Sequence, residues 1–183
     1  MPGTHRLESE RLLLRPFAAN DLRSLFAIHS RPDVARWLYW EPRTEDEVRA
    51  ALERKVASAT LAADGDSLGF AVVLKATSAV IGDASLFLVS AEHRQGEIGF
   101  LLHPDHHGHG YATETGRLLL ELAFGEFRLH RVVGRLEPRS TASARVLERL
   151  GMRQEAHFVE NELVKGEWQS ELVYALLERE WRA

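Results

Sequence analysis

The stretch "EIGFLLHPDHHGHGYATETGRLLLELAF", Glu97 to Phe124, decides how the chain is read. "EIGFLLHP" (97–104) has the length and apolar content of a strand, and Pro104 closes it. Period-two alternation puts Glu97, Gly99 and Leu101 on one face and Ile98, Phe100 and Leu102 on the other. "YATETGRLLLELAFGEF" (111–127) carries Leu118, Leu119, Leu122 and Phe127 at helical spacings. The intervening loop holds His106, His107 and His109, three of the chain's nine histidines, with His103 just upstream. It also holds two glycines at alternate positions, Gly108 and Gly110.

Such a loop suits a metal or a phosphate. A first-row metal needs three or four ligands converging at about 2 Å. His106 and His107 are adjacent and diverge in an extended chain, no H-E-x-x-H pattern is present, and no helix pairs two histidines at i and i+4. No metal site is therefore expected. The phosphate reading fits the order strand, glycine loop, helix. A helix start has N–H groups without internal partners and a dipole that favours anions. Gly108 and Gly110 let a ligand approach the backbone, and Ala112 keeps the first turn small. The spacing is neither G-x-G-x-x-G nor a Walker loop, so a glycine turn that simply caps a helix stays open at this level.

Outward from this stretch, "RLLLRPF" (11–17) reads as a strand, and "NDLRSLFAIHS" (20–30) as a helix capped by Asn20. Thr44 and Glu47 form a capping box for a helix running to about Ala63. Residues 67–76 and 79–89 read as a strand pair, 131–138 as a strand, and 140–151 as a helix stopped by Gly151. A closing antiparallel pair turns at Lys165-Gly166. These elements predict a single α/β (α+β) domain over residues 1–183, with a mostly antiparallel mixed sheet of about six to seven strands flanked by about four helices. The 183 residues suit one domain. Zero cysteines excludes disulfides, thiolate zinc sites and a cysteine nucleophile. A net charge of −4 argues against nonspecific nucleic-acid binding. No apolar run is long enough to span a membrane, and the N-terminus lacks a signal peptide's apolar core, so a cytoplasmic protein is expected.

His107-Gly108-His109-Gly110-Tyr111-Ala112 resembles the Q/R-x-x-G-x-G/A segment of GNAT N-acetyltransferases, with His107 replacing the Gln or Arg. "LESERLLLRPF", "STASARVLERLGM" and "NELVKGEWQSELVYALLEREW" resemble the opening strand, a late helix and the closing strands of the RimJ/RimL-like branch, which acetylates ribosomal-protein N-termini. Ser140 stands where that branch has Asn, and Ser170 where it often has Asp. The resemblance implies a GNAT-like fold and transfer of acetyl from acetyl-CoA to a primary amine, with a protein or peptide α-amine as acceptor. A small-amine acetyltransferase and a non-catalytic acyl-CoA-binding module are the alternatives, and a homodimer is one expectation for assembly.

It further implies that Phe100, Leu101, Leu102, His107, Gly108, His109, Gly110, Tyr111, Ala112, Thr113 and Ser140 meet the coenzyme. The backbone around Phe100 to Leu102 would face the developing oxyanion. Glu97 is implied as general base through water, ahead of Asp105 and Glu114, and Ser143 as proton donor to the leaving thiolate. Trp37, Tyr39 and Trp40 are candidates for the acceptor groove.

Overall fold

The computed structural model describes residues 5–58 and 60–181. Its strands are β1 (Leu7–Glu8), β2 (Leu12–Pro16), β3 (Ser67–Leu74), β4 (Ala79–Ser90), β5 (Gln95–Leu102), β6 (Arg131–Leu136), β7 (Arg153–Val164) and β8 (Glu167–Leu177). The helices are α1 (Leu22–His29), α2 (Pro32–Ala35), α3 (Glu45–Ala57), α4 (Tyr111–Glu121), α5 (Thr141–Arg149) and α6 (Glu178–Trp181). Among the described residues the strands form one sheet of eight, in the order β1-β2-β3-β4-β5-β6-β8-β7. The extra strand relative to expectation is the two-residue β1, too short to carry a periodic signal. Four helices have eight residues or more, as expected, and α2 and α6 are single turns.

Among the described residues only β5 and β6 pair in parallel, and they do so over three residue pairs, ending at Glu97↔Val133. Both strands continue beyond that point, β5 to Leu102 and β6 to Leu136. The sheet is therefore open between them, with α4 and α5 on one side. Ile98, Leu102, Val132 and Tyr174 join Leu118, Leu119 and Leu147 in the larger core. Two glycines permit that packing. A Cβ on Gly116 would lie 2.5 Å from Leu150 Cδ1, and one on Gly134 would lie 2.8 Å from Leu147 Cδ1. The opposite sheet face carries α1 and α3 over a second core of Leu25, Val48, Leu52, Ala71 and Val73.

Local chemistry moves three boundaries. Asn20 does not cap the first helix: a 3₁₀ turn at Ala19–Asp21 precedes α1, and the Asp21 carboxylate takes the Ala18 N–H at 2.8 Å. Burial would raise the Asp21 carboxyl, but Arg15 and that N–H outweigh it and hold it low. The Thr44–Glu47 capping box is present, yet its helix ends at Ala57, not near Ala63. Asp66 accepts the N–H groups of Ala62 and Ala63 at 2.8 and 2.9 Å, which diverts that segment from helix. The expected helix over 111–127 is α-helical only to Glu121 and ends in a π-helical turn, Leu122–Glu126. Among the described residues, no helix is long and apolar enough to cross a membrane.

Candidate active site

The first hydrogen bond of α4 runs from the Glu114 N–H to the Gly110 carbonyl at 3.1 Å. The N–H groups of Tyr111, Ala112 and Thr113 thus emerge from the helix start without helical acceptors. Gly110 occupies the N-cap at φ +82°, and Gly108 has φ +79° with open space where a Cβ would be. Both conformations need glycine, and together they leave a bare backbone cradle fit for a pyrophosphate. Glu114 in the first turn puts a negative charge beside this cradle. Arg11 covers that charge, its Nε donating at 2.8 Å, its Nη2 at 2.5 Å and its backbone N–H at 3.2 Å, and Ser9 adds a fourth contact. Burial would raise the Glu114 carboxyl, but these donors leave it lowered. Glu114 is thus committed to anchoring β2 against α4, not to base chemistry.

The histidines go separate ways. His103 Nδ1 accepts the Asp105 N–H at 3.3 Å, His107 Nε2 meets the Leu102 carbonyl at 3.0 Å, and His109 stacks on Tyr111 with centroids 5.6 Å apart. Asp105 is mostly exposed beside His103. Burial, then the nearby His103, lowers the pKa of His106 from its ordinary value. Among the described residues no three His, Asp or Glu side chains are grouped to hold a metal ion. Tyr111 packs beneath Arg11, whose guanidinium carbon lies 4.7 Å from the ring centroid.

On β5, the His103 N–H bonds the Ile81 carbonyl of the β4 side at 2.8 Å. Antiparallel alternation then turns the N–H of Leu101 toward β4 as well, and those of Phe100 and Leu102 toward the opening beside β6. The His107–Leu102 contact fits this, because it uses a carbonyl that faces away from β4. At the start of α5, Ser140 is the N-cap residue, but its hydroxyl makes no capping bond. It donates instead to Ser143 Oγ at 2.9 Å, which leaves the Ser143 proton free for another acceptor.

Glu97 is the last paired residue of β5 before the opening. Arg135 of β6 links its carboxylate (Nε to Oε2, 3.2 Å) to Glu171 of β8 (2.9 Å). Burial raises the Glu97 pKa, Arg135 opposes this, and Glu171 adds to the rise. Beside them a small pocket is lined by Trp37, Tyr39, Arg135, Glu162, Ser170 and Glu171. The Tyr39 ring is largely exposed, while burial of its hydroxyl and the nearby Glu162, Glu171 and Glu97 hold the phenol neutral, well above its usual range. Ser170 lines this pocket and also takes the Glu160 N–H at 2.9 Å. Trp40 lies elsewhere. It packs on buried His29 with centroids 4.9 Å apart, and Arg43 covers it at 4.2 Å. Sequence reading missed Arg135, Glu162 and Glu171. Arg135 alone left a signal, as a charge inside the apolar run "RVVGRL".

The acetyltransferase (GNAT) domain model matches residues 11–153. The chain belongs to the GNAT acetyltransferase family. The uncharacterized N-acetyltransferase YnaD of Bacillus subtilis is 30% identical over 96% of this chain and 98% of its own. A GNAT-family acetyltransferase from Bacillus anthracis superposes with a TM-score of 0.87 at 29% identity, covering 96% and 99% of the two chains. The spermidine N-acetyltransferase of Vibrio cholerae, solved with CoA and spermine, shares the fold with a TM-score of 0.82 at 20% identity, covering 96% and 100%. This GNAT enzyme uses acetyl-CoA to acetylate an amine. The glycine cradle, the free helix-start N–H groups and the opening between β5 and β6 all suit a long, anionic, extended coenzyme.

Replacing Gly110 with Val is expected to abolish the rise in melting temperature that acetyl-CoA produces. Valine at φ +82° is strained whatever space surrounds it, and it would reset the cradle backbone. The ligand-induced shift is the readout, because strain lowers the melting temperature by itself. A normal shift in the variant would refute the phosphate-cradle assignment.

Proposed function

We propose that this enzyme acetylates the α-amine of a peptide or protein N-terminus. The observation that carries the reading is the opening at Glu97↔Val133, with the glycine cradle on one side and a carboxylate-lined pocket on the other. Acetyl-CoA supplies the activated acetyl thioester. Glu97 removes the amine proton through water, and burial, opposed by Arg135, makes it a stronger base than a free carboxylate. The N–H groups of Phe100 and Leu102 stabilise negative charge at the opening. Ser143 hydrogen-bonds the departing thiolate and passes it a proton as the serine is reprotonated through water with the proton Glu97 took from the amine. The α-amine reading is supported by its pKa of about 7.7–8.0, against about 10.4 for a lysine, so little base strength is needed. It is supported too by a hollow of about 390 Å³ that shares Trp37 and Gln169 with the pocket and gives an extended chain room to lie.

A polyamine acceptor is the second reading, favoured by the carboxylates Glu137, Glu162 and Glu171 that line the pocket, with Glu97 bridged to Glu171 by Arg135, and by the spermine bound to the Vibrio cholerae relative. Thiol release from acetyl-CoA with a panel of peptides, spermidine, amino acids and aminoglycosides separates the two. Peptides are expected to be the best acceptors, and a polyamine acetylated far faster than any peptide would overturn the first reading.

Ser143→Ala is expected to lower turnover roughly tenfold at saturating acetyl-CoA, below the usual general-acid range because a thiolate already leaves well. Folding and coenzyme affinity should hold, since Ser143 is exposed and makes no capping bond. Unchanged turnover would leave this serine a helix-surface residue only.

A further inference from the structure

The hollow beyond Trp37 is lined by three cations. Arg36 and Arg139 approach the Trp37 ring with guanidinium carbons 4.6 and 4.7 Å from its centroid, so one indole carries two cations. Lys165, at the tip of the β7–β8 hairpin, donates to the Ala35 carbonyl at 2.6 Å and brings a third cation to the same hollow. Arg139 is held from behind by Glu137, with Nε donating at 2.8 Å and its backbone N–H at 2.9 Å. Among the described residues Arg36 and Lys165 form no ion pair. Glu41 and Glu167 also line the hollow, and neither pairs with these cations. A planar guanidinium on an aromatic face keeps its N–H edge free for a carboxylate.

The hollow is therefore richer in cations and the Glu97-side pocket richer in carboxylates, and the two share a wall at Trp37 and Gln169. One surrounds the acceptor amine with carboxylates, and the other offers cations further along. We propose that the hollow is a carboxylate subsite, which selects acceptors carrying an acidic group in the residues just after the reacting amine. This rests on the α-amine reading above. A polyamine fits it badly, since its distal ammonium would meet Arg36, Arg139 and Lys165. The same chemistry has two sources: an Asp or Glu side chain in a longer peptide, or the terminal carboxylate of a short one.

The test uses C-terminally amidated peptides that differ only in Glu, Gln or Lys at the second, third or fourth position. A dipeptide as free acid and as amide, and spermidine, complete the set, and kcat/KM is read from thiol release. At one position Glu should exceed Gln by about tenfold or more, the scale of one charge-assisted hydrogen bond. Lys should be poorest. Arg36→Gln should bring the Glu-to-Gln ratio toward one through KM, and Arg36→Glu should invert it in favour of Lys. A free-acid dipeptide that outperforms its amide, with no side-chain preference in longer peptides, would assign the subsite to a terminal carboxylate. Equal rates for Glu, Gln and Lys peptides and for the acid–amide pair would overturn the proposal and leave the α-amine reading standing. Acetylation of spermidine but of no peptide would overturn both. A matching rise in acetyl-CoA KM in Arg36→Gln would also overturn it, by assigning the cations to the coenzyme.

Discussion

Asp83→Ala should destabilise the fold by about 3–5 kcal/mol, the cost of stripping one partner from a buried ion pair. Asp83 lies on β4, 5% exposed, on the sheet face that carries α1 and α3. Its Oδ2 is 2.9 Å from His29 Nε2 and its Oδ1 2.9 Å from Lys55 Nζ. His29 is itself buried, and its Nδ1 meets the Arg43 guanidinium at 3.1 Å. Since a guanidinium only donates, His29 Nδ1 must accept there, which leaves the Nε2 proton for Asp83. The carboxylate thus ties α1, α3 and, through Arg43 and Trp40, the segment that carries Tyr39. Its removal leaves the His29 N–H without an acceptor and Lys55 without its anion, with Lys55 the better able to reach water at 21% side-chain exposure. Urea denaturation measures the loss, and a change under about 1 kcal/mol would show that the network relaxes freely.

The pH dependence has a definite sign. Burial would raise the Asp83 carboxyl, but Lys55 and His29 outweigh it and hold it low. A carboxyl lower in the folded state adds stability above its unfolded value of about 3.9, and that contribution is lost as pH falls through the folded value. Asp83→Asn should therefore be less stable than the parent at neutral pH and lose less stability on acidification below about pH 4.

Glu97→Gln should reduce turnover by about 10²–10⁴-fold, the usual contribution of a placed general base. The glutamine keeps size and hydrogen bonding and loses the proton acceptor. The pKa of Glu97 is raised by burial, with Arg135 pulling against it. The parent should therefore gain activity with pH through a carboxylate step displaced upward from the ordinary range. That step should vanish in Glu97→Gln, and any rise near pH 8 that survives belongs to the acceptor's own α-amine. Arg135→Gln should move the step to still higher pH, because it removes the opposing cation and leaves Glu171 facing Glu97. A Glu97→Gln enzyme within about threefold of the parent, with the same profile, would reduce Glu97 to an ion-pair partner of Arg135, since such activity lies far outside a general-base effect.

What the sequence alone determined is what local spacing encodes. The Thr44–Glu47 capping box, the strand alternation at 97–102, the turn at Lys165-Gly166 and the glycines ahead of Tyr111 depend on contacts within a few residues, and all are present in the fold. Tertiary structure decided the rest. The opening after Glu97 exists because β5 and β6 pair for only three residues, a property of two strands separated by a whole helix. Arg135, Glu162 and Glu171 meet at the pocket beside Glu97 from three strands, and His29 reaches Asp83 across 54 residues of chain. Glu114, a weaker base candidate than Glu97 by its place in a helix's first turn, is taken up by Arg11, 103 residues upstream. The charge state and purpose of a carboxylate depend on what surrounds it in space, and partners so distant in sequence leave no periodic trace for a local reading to find.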